Sequence, residues 1–120
     1  MTRSVTIRGD VAVGGGAPFA LIAGPCVIES HDLCRTVCAA ARDACARLGI
    51  PYVFKASFDK ANRTSVASFR GQGMAAGLEI LAAIREEFDV PVLTDVHDPE
   101  QCAEAGGHVD ELRRVVPEGR

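Results

Sequence analysis

The spacing of three short apolar runs constrains this chain more than any other feature. They start at Phe19, Pro51 and Pro91, and stretches with helical period lie between them. Parallel strands need crossovers of this kind, a dozen or more residues long and usually helical. The chain therefore reads as α/β. Phe19 to Ala23 is a continuous apolar run ended by Gly24-Pro25, the pattern of a strand buried on both faces. Pro51-Tyr-Val-Phe-Lys-Ala-Ser opens a second buried strand, and Pro91-Val-Leu-Thr-Asp-Val forms a third. Ahead of them, Val5, Ile7, Val11 and Val13 alternate with other residues around Gly9-Asp10, which predicts a hairpin.

The first crossover begins at Ser30, a good N-cap, with Asp32 in its first turn, and stops near Leu48 at Gly49. Cys34, Cys38 and Cys45 fall on one face of that helix with Val37, Ala41 and Leu48. Small apolar side chains lining the core are the expected reading. A metal cluster or disulfides are the alternative, and a helical stripe is poor geometry for disulfides. The second helix spans roughly Met74 to Phe88, with Met74, Leu78, Leu81, Ile84 and Phe88 on one face.

Composition excludes several function classes. A formal charge of −3 argues against nucleic acid or an anionic membrane as the main partner. The N-terminus lacks the apolar stretch of a signal peptide, and the longest apolar run, Ala17 to Ala23, is too short to span a bilayer. A cytoplasmic protein is expected.

In an α/β protein, chemistry gathers where strands end and βα loops begin. Those places here are residues 24–30, 55–73 and 94–99. The middle one carries Lys55, Lys60, Arg63 and Arg70 against Asp59, a net +3 between residues 55 and 70. Asn62, Thr64, Ser65 and Ser68 add neutral donors. Arg offers a bidentate fork and Lys a point charge, so such a segment suits phosphate groups. A polar surface loop with incidental charges is the competing reading.

Phe54-Lys-Ala-Ser-Phe-Asp-Lys-Ala-Asn-Arg-Thr-Ser65, followed by Phe69-Arg-Gly-Gln-Gly73, resembles the signature of the KDO 8-phosphate synthases. Ile22-Ala-Gly-Pro-Cys-Val-Ile-Glu-Ser30 and Thr94-Asp-Val-His97 match the same family at the neighbouring strand ends. The likeness runs from about Val5 to about Ala105. DAHP synthases share the first motif but resemble Lys-Pro-Arg-Thr where this chain has Lys60-Ala-Asn-Arg63.

The resemblance implies an N-terminal hairpin plus the first three strands of a (β/α)8 TIM barrel, left incomplete. It implies condensation of phosphoenolpyruvate with arabinose 5-phosphate. Lys55, Ser57 and Lys60 match phosphoenolpyruvate contacts, and Asn62, Arg63 and Thr64 match contacts to the sugar phosphate. Lys60, Asp95 and His97 stand at the reacting centre by the same likeness. Cys26 takes the place that holds Cys in metal-dependent members, which implies a divalent ion such as Zn, Fe or Mn. The other metal ligands of the family come from later strands, so this chain is not expected to bind the ion firmly. Tetramers are usual in the family.

A full barrel takes about 250 residues. After Gly106-Gly107 the family pattern gives way to Glu111-Leu-Arg-Arg-Val-Val-Pro-Glu-Gly-Arg120. Residues 1–105 therefore read as the N-terminal portion of a synthase, and 106–120 as a divergent tail. A frameshift, a premature stop or a cut fragment would each produce this change. Val109, Leu112 and Val116 suggest one side of a short helix ended by Pro117. The isolated chain is expected to be inactive. The alternatives are a non-catalytic phosphate-binding remnant, completed or not by a second polypeptide, and a fragment of a DAHP synthase.

Overall fold

The computed structural model describes residues 4–8, 11–58, 73–96, 99–106, 109 and 111–114. The hairpin expected at the start is present: β1 (Val5–Arg8) pairs antiparallel with β2 (Val11–Val13). Then follow β3 (Leu21–Ala23), α1 (His31–Leu48), β4 (Tyr52–Lys55), α2 (Met74–Phe88), β5 (Val92–Val96), α3 (Pro99–Gly106) and β6 (Glu111–Arg114). β3, β4, β5 and β6 form one parallel sheet in that order, each strand beside its successor. Sequential parallel strands joined by helices are how a (β/α) barrel begins.

The caps of α1 explain its boundaries. The Ser30 hydroxyl accepts from the Leu33 N–H at 3.0 Å, satisfying one of the orphan donors of the first turn. Gly49 ends the helix in the left-handed region at φ 69°, and its N–H turns back to the Ala46 carbonyl. The cysteine stripe lies in the core: Cys34 and Cys38 are wholly buried and Cys45 nearly so. Burial pushes the Cys34 and Cys38 thiols up to about 11, so they remain neutral and pack as small apolar groups. On α2 the expected face is also found, with Leu78, Leu81 and Ile84 fully buried.

The sheet has two faces with different neighbours. Leu21, Ala23, Tyr52, Phe54, Ala56, Val92 and Val96 pack toward the helices in one cluster with α1 and α2. Alternation sends Val53 and Leu93 to the opposite face, where they meet Val11 and Ile7 of the hairpin. The hairpin thus covers the N-terminal end of that second face. Beyond it, toward the strand C-termini, the same alternation brings Lys55 and Asp95.

Four expectations are corrected. Phe19 is 73% exposed and Ile22 is 44% exposed, so the first run is not buried on both faces. Pairing begins only at Leu21. β3 is also an outer strand of the described sheet, and Ile22 faces away from the helices beyond the reach of the hairpin cluster. Leu48, placed on the cysteine stripe, is the last residue of α1 and is 72% exposed. Phe58, inside the 55–73 segment for which a polar surface loop was the competing reading, is buried in the core. Where a short helix was expected around Val109 to Val116, Glu111–Arg114 form β6, a fourth parallel strand. Pairing with β5 through residues 111–114 supplies partners for the backbone that the sequence pattern alone did not disclose.

Candidate active site

The strand C-termini bring three of the sequence-selected side chains to one face. Lys55 is the last residue of β4, and its Nζ donates to the Ser57 hydroxyl at 3.0 Å. Ser57 is buried, and its main chain is clamped by the segment after β3. Its N–H donates to the Cys26 carbonyl at 3.3 Å, and its own carbonyl accepts from the Ile28 N–H at 2.9 Å. Lys55 is paired in register with Leu93 of β5. Two residues further along, Ser57 and Asp95 therefore lie on the same face. Asp95 is only 7% exposed, and its Oδ1 has no hydrogen-bond partner among the described residues. An orphaned carboxylate oxygen is costly to bury, by about 1–3 kcal/mol or more, and such groups gather at functional sites.

Two features that hold this arrangement were missed from sequence. The first is Gly24. A Cβ there would fall on the Lys55 carbonyl oxygen, so only glycine lets the chain leaving β3 pass this close to β4. The Gly24-Pro25 pair read as a strand stop could have disclosed it. The second is Thr94, fully buried, whose hydroxyl donates to the Ala56 carbonyl at 2.8 Å. It ties β5 to β4 one residue from Asp95 on one strand and from Lys55 and Ser57 on the other. Tyr52 does a similar job lower down, donating to the Ala23 carbonyl at 2.8 Å. Burial pushes its phenol up, which keeps the donor proton in place.

Lys60, Asn62, Arg63, Thr64 and His97 lie outside the described residues. The cation-rich segment is therefore known here by its two ends, Phe58 and Gly73.

Cys26 is exposed, on the segment just after β3. Among the described residues no group of three or more His, Cys, Asp or Glu side chains comes close enough together to hold a metal ion. A zinc site needs three or four protein donors. The described residues thus supply one donor and do not by themselves fit a metal centre. No helix among them is long and apolar enough to cross a membrane.

A cavity of about 580 Å³ lies elsewhere, at the opposite end of the sheet, beside Val11, Arg42, Gly49, Tyr52 and Pro91. None of the polar residues at the strand C-termini lines it. In open α/β sheets and barrels, ligands are bound at the strand C-termini. The Lys55, Ser57 and Asp95 face is therefore the better candidate, despite the hollow at the other end.

Comparison with known proteins places the chain in a family. Residues 2–113 match the sequence profile of the DAHP synthetase I family. The chain is 59% identical over 111 residues to a protein named 2-dehydro-3-deoxyphosphooctonate aldolase from Granulibacter bethesdensis, covering 92% of this chain and 39% of that protein. Proteins of the same name from Koribacter versatilis and a Cyanothece species are 56% and 50% identical over 104 and 109 residues. The chain spans about two-fifths of the length of these curated relatives.

Proposed function

Because this chain belongs to the DAHP synthetase I family, we propose that it forms the substrate-gripping first part of a synthase that condenses phosphoenolpyruvate with D-arabinose 5-phosphate. The products are 3-deoxy-D-manno-octulosonate 8-phosphate and inorganic phosphate. C3 of phosphoenolpyruvate forms a bond to the sugar aldehyde carbon, water adds its oxygen at C2, and phosphate leaves with cleavage of the C–O bond. The observation that carries this reading is the Lys55–Ser57 donor pair at the end of β4, beside the orphaned Asp95 carboxylate.

Both substrates are anionic, so their approach needs fixed positive charge and directed donors. Lys55 supplies the charge, and its bond to Ser57 holds the ammonium at a defined place before substrate arrives. Asp95 Oδ1 stands ready to accept a proton or a hydrogen bond from a bound reactant. In this reading Lys60 joins the phosphoenolpyruvate contacts, Asn62, Arg63 and Thr64 hold the sugar phosphate, and His97 works beside Asp95. The names of the relatives support the choice of sugar substrate, as does Lys60-Ala-Asn-Arg63.

Cys26 belongs to this reading as one donor to a divalent ion, whose other ligands would come from outside the described residues. Such an ion, when bound, supplies Lewis-acid chemistry. An assembly of identical chains, as the resemblance implies, also belongs to the proposal.

The test is a chimera in which residues 1–105 are continued by the C-terminal part of the Granulibacter bethesdensis relative. Phosphate release that requires both phosphoenolpyruvate and arabinose 5-phosphate supports the reading. Turnover with erythrose 4-phosphate instead would transfer the chain to the DAHP synthases. The 120-residue chain alone is expected to bind phosphoenolpyruvate and release no phosphate.

A further inference from the structure

Two peptide groups flank Ser57, and neighbouring strands hold both of them. The peptide joining Ala56 to Ser57 is bonded at each end. Its carbonyl accepts from the Thr94 hydroxyl at 2.8 Å, and its N–H donates to the Cys26 carbonyl at 3.3 Å. The next peptide is held by the Ser57 carbonyl, which accepts from the Ile28 N–H at 2.9 Å. Peptide groups are planar, so fixing both planes fixes the two backbone dihedrals of Ser57 and the direction of its Cα–Cβ bond. The hydroxyl that receives the Lys55 ammonium hangs from that bond. The Cys26 and Ile28 contacts are main-chain atoms, which most residues there would supply. Thr94 is the one side chain among these contacts. It lies in a strand whose five residues are all buried, where valine would fill the same space with no hydroxyl to desolvate. The paired residues of β4 and β5 end at Lys55 and Leu93, and the Thr94 bond carries the contact past that point.

We propose that Thr94 is a positioning residue for phosphoenolpyruvate: through the Ala56–Ser57 peptide, its hydroxyl fixes where Ser57 presents its own and so where the Lys55 ammonium stands. The proposal rests on the function proposed above, which gives Lys55 and Ser57 to that substrate. Thr94 itself touches no substrate. Alternation puts it with Val92 and Val96 on the helix side of the sheet, away from Lys55 and Asp95. Loss of the bond frees the peptide to rotate, and a donor pair that must reorganise binds an anion less well.

The experiment compares the full 120-residue chain with Thr94→Val and Thr94→Ser. Valine keeps the volume and removes the hydroxyl, whereas serine keeps the hydroxyl and removes the methyl. Phosphoenolpyruvate affinity, measured by calorimetry, should fall about fivefold in Thr94→Val and stay within about twofold of wild type in Thr94→Ser. The urea midpoint should fall in both, since serine leaves a hole where the methyl was. A serine variant that binds as weakly as the valine one rejects the role, because packing and not the bond would then govern binding. Exchange of the Ser57 amide hydrogen, read by NMR against that of Cys38 in α1, should speed about fivefold in Thr94→Val and not in Thr94→Ser. Unchanged exchange in a folded valine variant rejects the pinned peptide. Faster exchange with unchanged affinity rejects the positioning role. If Thr94→Val loses its helical circular dichroism, Thr94→Ala measured against Thr94→Ser isolates the same oxygen and decides. A wild-type chain that binds no phosphoenolpyruvate rejects the proposed function instead, and Ser57 exchange then judges the pinned peptide alone.

Discussion

Lys55 donates to Ser57 two residues further along the same chain, at 3.0 Å, so the ammonium is oriented by its own strand end rather than by a distant partner. Removing the charge should cost far more than removing the hydroxyl. In the active chimera, Lys55→Met is expected to weaken phosphoenolpyruvate binding about 10- to 100-fold, the range of a hydrogen bond to a charged group. Ser57→Ala should weaken it by less than about tenfold. Equal losses from the two changes would mean that the charge of Lys55 contributes no more to binding than the Ser57 hydroxyl.

Asp95 is expected to be a residue whose loss stabilises the fold. Its buried Oδ1 has no hydrogen-bond partner among the described residues, and an amide is cheaper to bury there than a carboxylate. Asp95→Asn should raise unfolding stability by about 1 kcal/mol while lowering turnover in the chimera. The urea midpoint and the phosphate-release rate read the two effects separately. A destabilised asparagine variant would show that the carboxylate has a structural partner after all.

The five cysteines should divide by reactivity. Cys26 and Cys102 are exposed, whereas Cys34, Cys38 and Cys45 are buried. Burial holds the Cys34 and Cys38 thiols near 11, so little thiolate forms at pH 8. A chromogenic disulfide reagent at pH 8 should label two thiols rapidly, and all five only in denaturant. Three or more fast thiols would mean that α1 does not pack as described.

The clasp between α1 and α2 should be an acid-sensitive one. Both nitrogens of the Arg35 fork reach Glu87, at 2.8 to 3.0 Å. Hydrogen bonding from Arg35 holds the Glu87 carboxyl below its usual 4.5. A lowered folded-state value gives stability that is present above pH 4.5 and is lost as pH falls through the folded value. The gap in melting temperature between wild type and Glu87→Gln should be constant from about pH 5 to 8 and close toward pH 3. The pair is exposed, so the gap should be small and shrink in 1 M salt.

Gly49→Ala should destabilise by about 1 kcal/mol, because alanine resists the left-handed conformation that ends α1 at φ 69°. No neighbouring atom lies within 4 Å of a Cβ at that position, so strain rather than collision sets the cost. Chemical denaturation of the alanine variant checks this, and an unchanged midpoint would show that the end of α1 is frayed.

Local signals carried much of the fold. Ser30, Gly49 and the cysteine spacing bounded α1 and chose its buried face, because caps and 3.6-residue period are properties of the segment itself. The face of α2 from Met74 to Phe88 was legible for the same reason. What failed depended on neighbours. Whether Ile22 is covered is decided by what lies across the sheet, and Glu111–Arg114 becomes a strand only because β5 offers it a partner. Within the site, Lys55 stood out as a cation at a strand end, whereas Ser57 and Asp95 were singled out by the family resemblance. Gly24 and Thr94 stood out in neither way, since their necessity arises from chain segments far apart in sequence that pass within contact distance.

The hairpin has a consequence for how this chain tolerates change. Ile7 and Val11 close over Val53 and Leu93, while Lys55 and Asp95 stand two residues further along the same strands. Each strand is thereby graded along its length. Substitutions at the hairpin end are read as melting temperature, and those one pleat beyond it as turnover. A drifting lineage could exchange its floor for another of equal volume without the chemistry registering the exchange. A single step up the strand offers no such latitude.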